Sequence, residues 1–365
     1  MVASMNNPQQ LLDTMRDLPL SAPVRVLHLS CDHERLINIS GLRQALPEHV
    51  KLLAGPGCAA SICPQNDLYQ AIQLAHRRSV TVLAGDNVMR LPLHSKLHGP
   101  HSLQAAADAG ADVRMINSPI EAVVAARAEP EREMVLFVAG FETLLAPLAG
   151  LMLDGMPDNL SVLACGRTVQ PMLERILTHE PLGFDGLILP GNRCAITGTL
   201  YWERILEKHR LPAVVAGYTL PNLLTALHAV LEQHLRGEAK IENRYKVMVR
   251  ADGNLMARDQ LDRVFELTEG TWRGVGRVPD SAYRLRSAYR VFDADHRHPD
   301  YRGELEAKHA ELPVGCECAD VVVGRKEPVD CPNFDKGCAT ASPYGPCMAS
   351  EDGTCYLRSA MGWAA

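Results

Sequence analysis

Residues 24–58 read VRVLHLSCDHERLINISGLRQALPEHVKLLAGPGC, and this stretch decides the fold class. Val24–Leu29 and Lys51–Ala54 are short aliphatic runs separated by a segment of helical period, the pattern of parallel strands joined by a covering helix. Each run is followed by a thiol. Cys31 comes just after the first, and Gly55-Pro56-Gly57-Cys58 directly follows the second. Glycines there let the backbone turn tightly and bring Cys58 to the carboxyl edge of a sheet, where α/β proteins put their chemistry.

The same alternation runs outward to about residue 236, with further strand candidates at Val80–Ala84, Asp112–Ile116, Met134–Ala139, Leu160–Ala164, Gly186–Leu189 and Ala213–Ala216. This tally suits two similar parallel-sheet α/β domains. Asn117-Ser118-Pro119 is the expected hinge, because proline disfavours helix at the residue before it and suits the first turn of a following one. The expected division is therefore residues 1–117, 118–238 and 239–365, the last including a stretch of mixed periodicity from Ile241 to Pro313.

A chain of 365 residues with 47% hydrophobic and 22% charged residues has ample material for more than one core. A formal net charge of −6 without any basic run argues against nucleic acid. The first twenty residues lack the apolar core of a signal peptide or membrane span, so a cytoplasmic protein without a membrane partner is expected. Eleven cysteines in a reducing compartment point to metal or redox chemistry more than to structural disulfides.

Six of them, Cys316, Cys318, Cys331, Cys338, Cys347 and Cys355, crowd into a tail that also holds Pro328, Pro332, Pro343 and Pro346. Such a segment is too rich in proline for long elements, and metal ligation would supply the missing order. Four thiolates hold either a tetrahedral zinc or a four-iron cluster. The paired short knuckles usual for zinc are absent, and the dispersed spacing of Cys318, Cys331, Cys338 and Cys355 leans toward a cluster. Cys31 and Cys58 meet at one crevice if their strands are neighbours, and two such thiols bind soft iron or exchange a disulfide; otherwise each is a small buried hydrophobe. The latter reading is stronger for Cys63 and Cys165. Cys194 follows another strand and is a candidate for the same crevice. Glu142, in Gly140-Phe141-Glu142-Thr143, falls at a helix start, where a carboxylate caps the helix or orients a ligand. No phosphate-binding glycine loop is present.

These pieces, together with Gly110-Ala111-Asp112-Val113-Arg114, Ser118-Pro119, Val215-Ala216-Gly217 and Trp272-Arg273-Gly274-Val275-Gly276, resemble the HypD family of hydrogenase-maturation proteins from about Cys31 to Cys355. The resemblance implies two similar α/β domains and a third domain carrying a [4Fe–4S] cluster on Cys318, Cys331, Cys338 and Cys355. Cys316 and Cys347 resemble an accessory thiol pair able to form a disulfide. It further implies iron held at Cys31 and Cys58 while the Fe(CN)2CO unit is assembled with a HypC-type chaperone and a HypE-type cyanide donor, by a chain that is monomeric before complex formation.

Departures fall on the crevice. The family's C-G-G-H-x-H reads Cys31-Asp32-His33-Glu34-Arg35-Leu36, and its second G-P-G-C-P-V-C thiol is Ser61, with Cys63 two residues on as a candidate substitute for that crevice thiol if the loop shifts. The family's P-G-H-V-S reads Pro190-Gly191-Asn192-Arg193-Cys194, and the carboxylate of its G-F-E-P element is Thr219. Two other readings accordingly stand beside maturation: a HypD-derived iron–sulfur redox protein acting on another substrate, and a non-catalytic scaffold.

Overall fold

The computed structural model of the chain describes residues 7–94, 99–179, 181–299 and 311–361. Its strands in chain order are β1 (Val24–His28), β2 (Val50–Ala54), β3 (Val80–Ala84), β4 (Val113–Met115), β5 (Glu133–Gly140), β6 (Leu160–Arg167), β7 (Gly186–Pro190), β8 (Ala213–Ala216), β9 (Ile241–Asn243), β10 (Phe265–Trp272) and β11 (Gly276–Leu285). All eight strand candidates are present. β3, β7 and β8 are buried at every position, as expected where helices cover both faces of a parallel sheet.

The strands form two sheets, ordered β2-β1-β7-β8-β9 and β10-β11-β6-β5-β3-β4. The first is wholly parallel. In the second, β3 to β6 run parallel, and the β10–β11 hairpin is added antiparallel to β6. The boundaries expected at 117–118 and 238–239 do not separate these sheets. Pro119 does open a helix, Pro119–Ala128, but that helix joins β4 to β5 within the second sheet. The first sheet is completed only when the chain returns at β7. Beyond residue 238, β9 extends the first sheet and the hairpin covers the β6 edge of the second, so much of the unassigned stretch serves to pair open edges.

From residue 311 the elements are short: Cys318–Val322, Pro346–Ala349 and Thr354–Met361 are its α-helices, and the cysteines form a small cluster of their own. This module leans on the N-terminal sheet. The Thr354–Met361 helix packs on the Cys31–Ile39 helix, and Pro346–Ala349 packs on the turn Ala59–Ile62. Arg35 holds the contact, its Nη2 donating to Asp352 Oδ1 at 2.9 Å and to Glu351 O at 3.1 Å. No described helix is long and apolar enough to cross a membrane.

The Cys31–Ile39 helix is anchored to β1 by a buried carboxylate. Glu34 Oε2 lies 2.8 Å from His28 Nε2 and accepts from Arg43 Nη2 at 2.7 Å, while Oε1 accepts from Asn38 Nδ2 at 2.7 Å. Burial alone would raise the Glu34 pKa, but Arg43 and His28 outweigh it and hold the carboxyl well below the usual carboxylate range. Its stabilising contribution is therefore complete above the unfolded value of about 4.3 and is lost as pH falls through the folded value. Glu34→Ala would strand Arg43 in the core. We expect it to lower unfolding free energy by about 3–5 kcal/mol in urea melts at neutral pH, with the difference from the parent shrinking in strong acid; equal midpoints at neutral pH would refute the anchoring role.

Candidate functional site

The parallel register of β1 and β2, from Val24 opposite Val50 to His28 opposite Ala54, makes the turns after both strands leave the same sheet edge. Ser30 caps the following helix, its Oγ accepting from Asp32 N–H at 3.2 Å, and Cys31 is the first helical residue. Gly57 lies against that turn. A Cβ there would meet Ser30 Cα at 2.9 Å and the Cys31 nitrogen at 3.0 Å, so only glycine permits this backbone contact. Cys58, the next residue, is buried and caps the Ala59–Ile62 turn beside half-buried Cys31.

Burial, then Asp352, Asp32 and Cys58, pushes the Cys31 thiol well above its usual range. Burial, then Cys347, pushes Cys58 up to about 12. In the ligand-free chain both are neutral thiols, and a soft cation between them would offset this penalty.

Asp32 and Asn192, two of the residues that differ from the HypD pattern, join Tyr218 and His33 in a connected polar network. Asn192 Nδ2 donates to Asp32 Oδ2 at 3.3 Å, Tyr218 O–H donates to Asn192 Oδ1, and the Asn192 N–H donates to the Tyr218 oxygen at 3.1 Å. His33 stacks on Tyr218 at 4.7 Å between ring centroids and donates from Nε2 to Gly217 O at 3.1 Å. Burial, then His28, lowers its pKa to about 3, so it is neutral at physiological pH. Ser61 Oγ donates to Cys58 O at 2.7 Å, tying down the turn that carries the thiol. Thr219 caps the helix Leu220–Leu235 by accepting from Asn222 N–H at 3.4 Å.

Arg193 gives this network a buried cation. Its guanidinium carbon is 3.8 Å from the Phe141 ring centroid, Nη2 donates to Gly57 O at 3.2 Å, and Nη1 is buried without a partner. Glu142 opens the helix Glu142–Asp154, with its carboxylate fully buried: Oε1 accepts from Tyr283 O–H at 3.4 Å and Oε2 has no partner. Burial raises its pKa, against the opposing effects of Thr168 and Arg193. Cys194 sits in the large core with Leu29, Ile62 and Phe141, a cluster that excludes Cys58. Cys63 lies in the core that holds Cys58, but its thiol neighbour is Cys165 on β6. The sequence pattern does not mark Arg193 or Asp352 as site residues. Arg193 could have been noticed as a charge directly after an apolar strand, whereas Asp352 is brought to Cys31 only by the docking of the C-terminal module.

The six C-terminal thiols converge. The Sγ atoms of Cys318, Cys347 and Cys355 lie within 4.8 Å of one another, and Cys316 Sγ is 3.2 Å from Cys318 Sγ. A small cavity beside them is lined by Cys316, Cys318, Cys331, Cys338 and Cys355, so the four expected cluster ligands face one space. Cys347, expected in an accessory pair with Cys316, lies within the Cys318 and Cys355 group and is also among the groups whose charge Cys316 feels. Backbone N–H groups point at the sulfurs: Tyr344 and Gly345 donate to Cys338 at 3.4 Å each, and Cys355 donates to Cys347 at 3.3 Å. A Cβ on Gly345 would lie 2.6 Å from Cys316 Sγ. Five cysteines set among Val321, Phe334 and Met348, with backbone N–H groups aimed at sulfur, fit an iron–sulfur cluster. Cys347 is among the charges felt by Cys58, and its helix packs on the Ala59–Ile62 turn, so the knot lies next to the crevice.

Comparison with known proteins adds the relationship. The family model HypD, described as "Hydrogenase formation hypA family", matches residues 6–361. A putative hydrogenase expression/formation protein of Methanocaldococcus jannaschii is 35% identical over 338 residues, 92% of this chain and 91% of the relative. Hydrogenase maturation factor HypD of Azotobacter vinelandii is 34% identical over 348 residues, covering 93% and 89% respectively. The HypD of Rhodobacter capsulatus is 34% identical over 338 residues, covering 91% and 88%.

The Gly57 contact is testable. Gly57→Ala should cost about 1–3 kcal/mol of stability and move Cys58 away from Cys31. A bifunctional thiol reagent bridging the two cysteines would then react more slowly than in the parent; an unchanged bridging rate would contradict the contact.

Proposed function

This chain belongs to the HypD family, and on that premise we propose that it is a hydrogenase maturation factor, an iron-binding redox scaffold on which the Fe(CN)2CO unit of a nickel–iron hydrogenase is assembled. The observation that carries this reading is the convergence of Cys31 and Cys58 at one sheet edge, with Cys347 of the C-terminal thiol knot beside Cys58. Cys318, Cys331, Cys338 and Cys355 hold the resident [4Fe–4S] cluster. When bound there, that group supplies single electrons.

The rest is the work of the chain's own residues. Cys31 and Cys58 take the cargo iron, whose strong-field diatomic ligands suit soft thiolate donors. The Asp32, Asn192 and Tyr218 network fixes the turn next to Cys31, and Ser61 fixes the turn of Cys58. Arg193, with one N–H unpaired, orients an anionic ligand entering the crevice. Burial raises the pKa of Glu142, which favours its proton-bearing form, against the opposing pull of Thr168 and Arg193. A HypC-type chaperone and a HypE-type cyanide donor are the partners of this reading, which belongs in the reducing cytoplasm with a chain that is monomeric until they bind. The exchanged crevice residues favour one alternative, a redox role on another substrate.

The discriminating experiment is infrared spectroscopy of protein purified anaerobically after co-expression with the two partner types. In a sample whose iron and sulfide content shows a loaded cluster, cyanide and carbonyl stretches should be present and should vanish in Cys31→Ala. A silent spectrum from the loaded parent would transfer the assignment to the redox alternative. Cys355→Ser should lower bound iron and sulfide together and reduce the thermal midpoint, since ligation helps order the module.

A further inference from the structure

Arg273 has no part in the crevice, yet the interior encloses it almost completely, at 2% exposure. The main chain around it is pinned on two sides. The Arg273 N–H donates to Ser61 O at 2.9 Å, on the turn that follows Cys58. A Cβ on the next residue, Gly274, would strike Leu312 Cδ1 and lie 3.3 Å from the Cβ of Ala319. Leu312 packs on the cluster of C-terminal thiols, and Ala319 directly follows Cys318. The turn between β10 and β11 is therefore wedged between the crevice and the thiol knot.

Carbonyl oxygens hold the side chain, and no described carboxylate is ion-paired with it. Nε donates to Glu311 O at 3.2 Å, Nη2 donates to Pro92 O, and Nη1 is buried with no partner. The Glu311 carboxylate accepts from the Gln65 N–H at 2.9 Å, and burial raises its pKa. Burial lowers the Arg273 pKa, opposed by Cys63, Glu311, Cys318 and Cys316 in that order. Cys63 donates its S–H toward Pro64 O at 3.9 Å. Cys318 is different in kind, because a thiol that binds metal is deprotonated outright. An enclosed guanidinium with a spare N–H is costly in a core unless an anion forms beside it. A four-iron cluster on four thiolates is such an anion.

We propose that Arg273 sets the reduction potential of the C-terminal cluster by placing a fixed positive charge on its Cys318 side. The inference rests on the reading that Cys318, Cys331, Cys338 and Cys355 hold a [4Fe–4S] cluster. Reduction adds one negative charge to a centre that its thiolates already make anionic. A buried cation stabilises the reduced form more than the oxidised one and so raises the potential. Arginine suits this place, since it keeps its charge when enclosed and its fork reaches two carbonyls at once. Replacing the side chain leaves the backbone bond to Ser61 in place, so the charge is tested apart from the anchoring of the turn.

The test uses the full chain, anaerobic and cluster-loaded, with iron and sulfide content matched between samples and folding checked by circular dichroism. The cluster is titrated with dithionite in the presence of redox mediators, and the electron paramagnetic resonance signal of the reduced form is followed against potential. Arg273→Gln and Arg273→Met, both neutral, should show more negative midpoints than the parent, and Arg273→Lys should lie nearer the parent than either. Midpoints in the neutral variants equal to the parent's would overturn the proposal, as would a lysine variant no nearer the parent than they are. Failure of both neutral variants to take up iron and sulfide would overturn it too, because the charge would then serve assembly of the cluster and not its potential. A parent chain that never takes up iron and sulfide would remove the cluster reading itself, whereas equal midpoints in loaded samples remove this inference alone.

Discussion

The site depends on one backbone contact, Gly57 against Ser30 and Cys31. Parallel pairing of β1 and β2 brings their following turns to one edge, but it does not by itself bring two thiols together. The missing side chain at Gly57 lets one turn lie directly on the other, and the adjacent Cys58 is thereby set beside the first residue of the neighbouring helix. Everything added later reinforces that contact. Glu34 fixes the helix to β1, Ser61 fixes the turn, and the C-terminal module presses on both through Arg35 and the Pro346–Ala349 helix.

Strand positions were legible because each is a short aliphatic run bounded by turn residues. Sheet membership was not. Local pattern records that Pro119 begins a helix, but it does not record that this helix spans two strands of one sheet, nor that β7 inserts beside β1 across a long excursion. The stretch after Ile241 looks irregular because β9 and β10 lie at sheet edges, where exposed positions break the hydrophobic alternation. Cys31 and Cys58 could be picked out because both follow strands directly. Arg193, Asp352 and Arg273 take their importance from packing partners far away in the chain, which composition and spacing do not reveal. Cys63 shows the same limit: its nearness to Ser61 in sequence suggested a substitute crevice thiol, whereas its place at the end of a short turn directs it to β6.

The altered crevice is internally consistent. Where the HypD pattern has histidine and glycine, this chain has Asn192 and Asp32, which hydrogen-bond to each other, and Tyr218 ties Asn192 to the stacked ring of His33. Where the pattern has a carboxylate, Thr219 performs a helix cap. A buried polar group without a partner costs stability, and most of these substitutions avoid that cost mutually. Arg193 and His33 are exceptions, each keeping one unpaired atom in the interior, as does Glu142, which the pattern shares. Unsatisfied donors and acceptors of this kind are retained where a ligand completes them.

The interleaving of the two sheets also bears on how the protein is made. β1 and β2 leave the ribosome long before β7 and β8, so the early chain holds a two-stranded fragment with one side of β1 unpaired. The second sheet can assemble its parallel part in the interval, and only then does the returning chain close the first. The segment that presses on both crevice turns is synthesised later still. A half-made chain therefore carries the Cys31 and Cys58 thiols without the surroundings that organise them, and the crevice is complete only when the Thr354–Met361 helix docks.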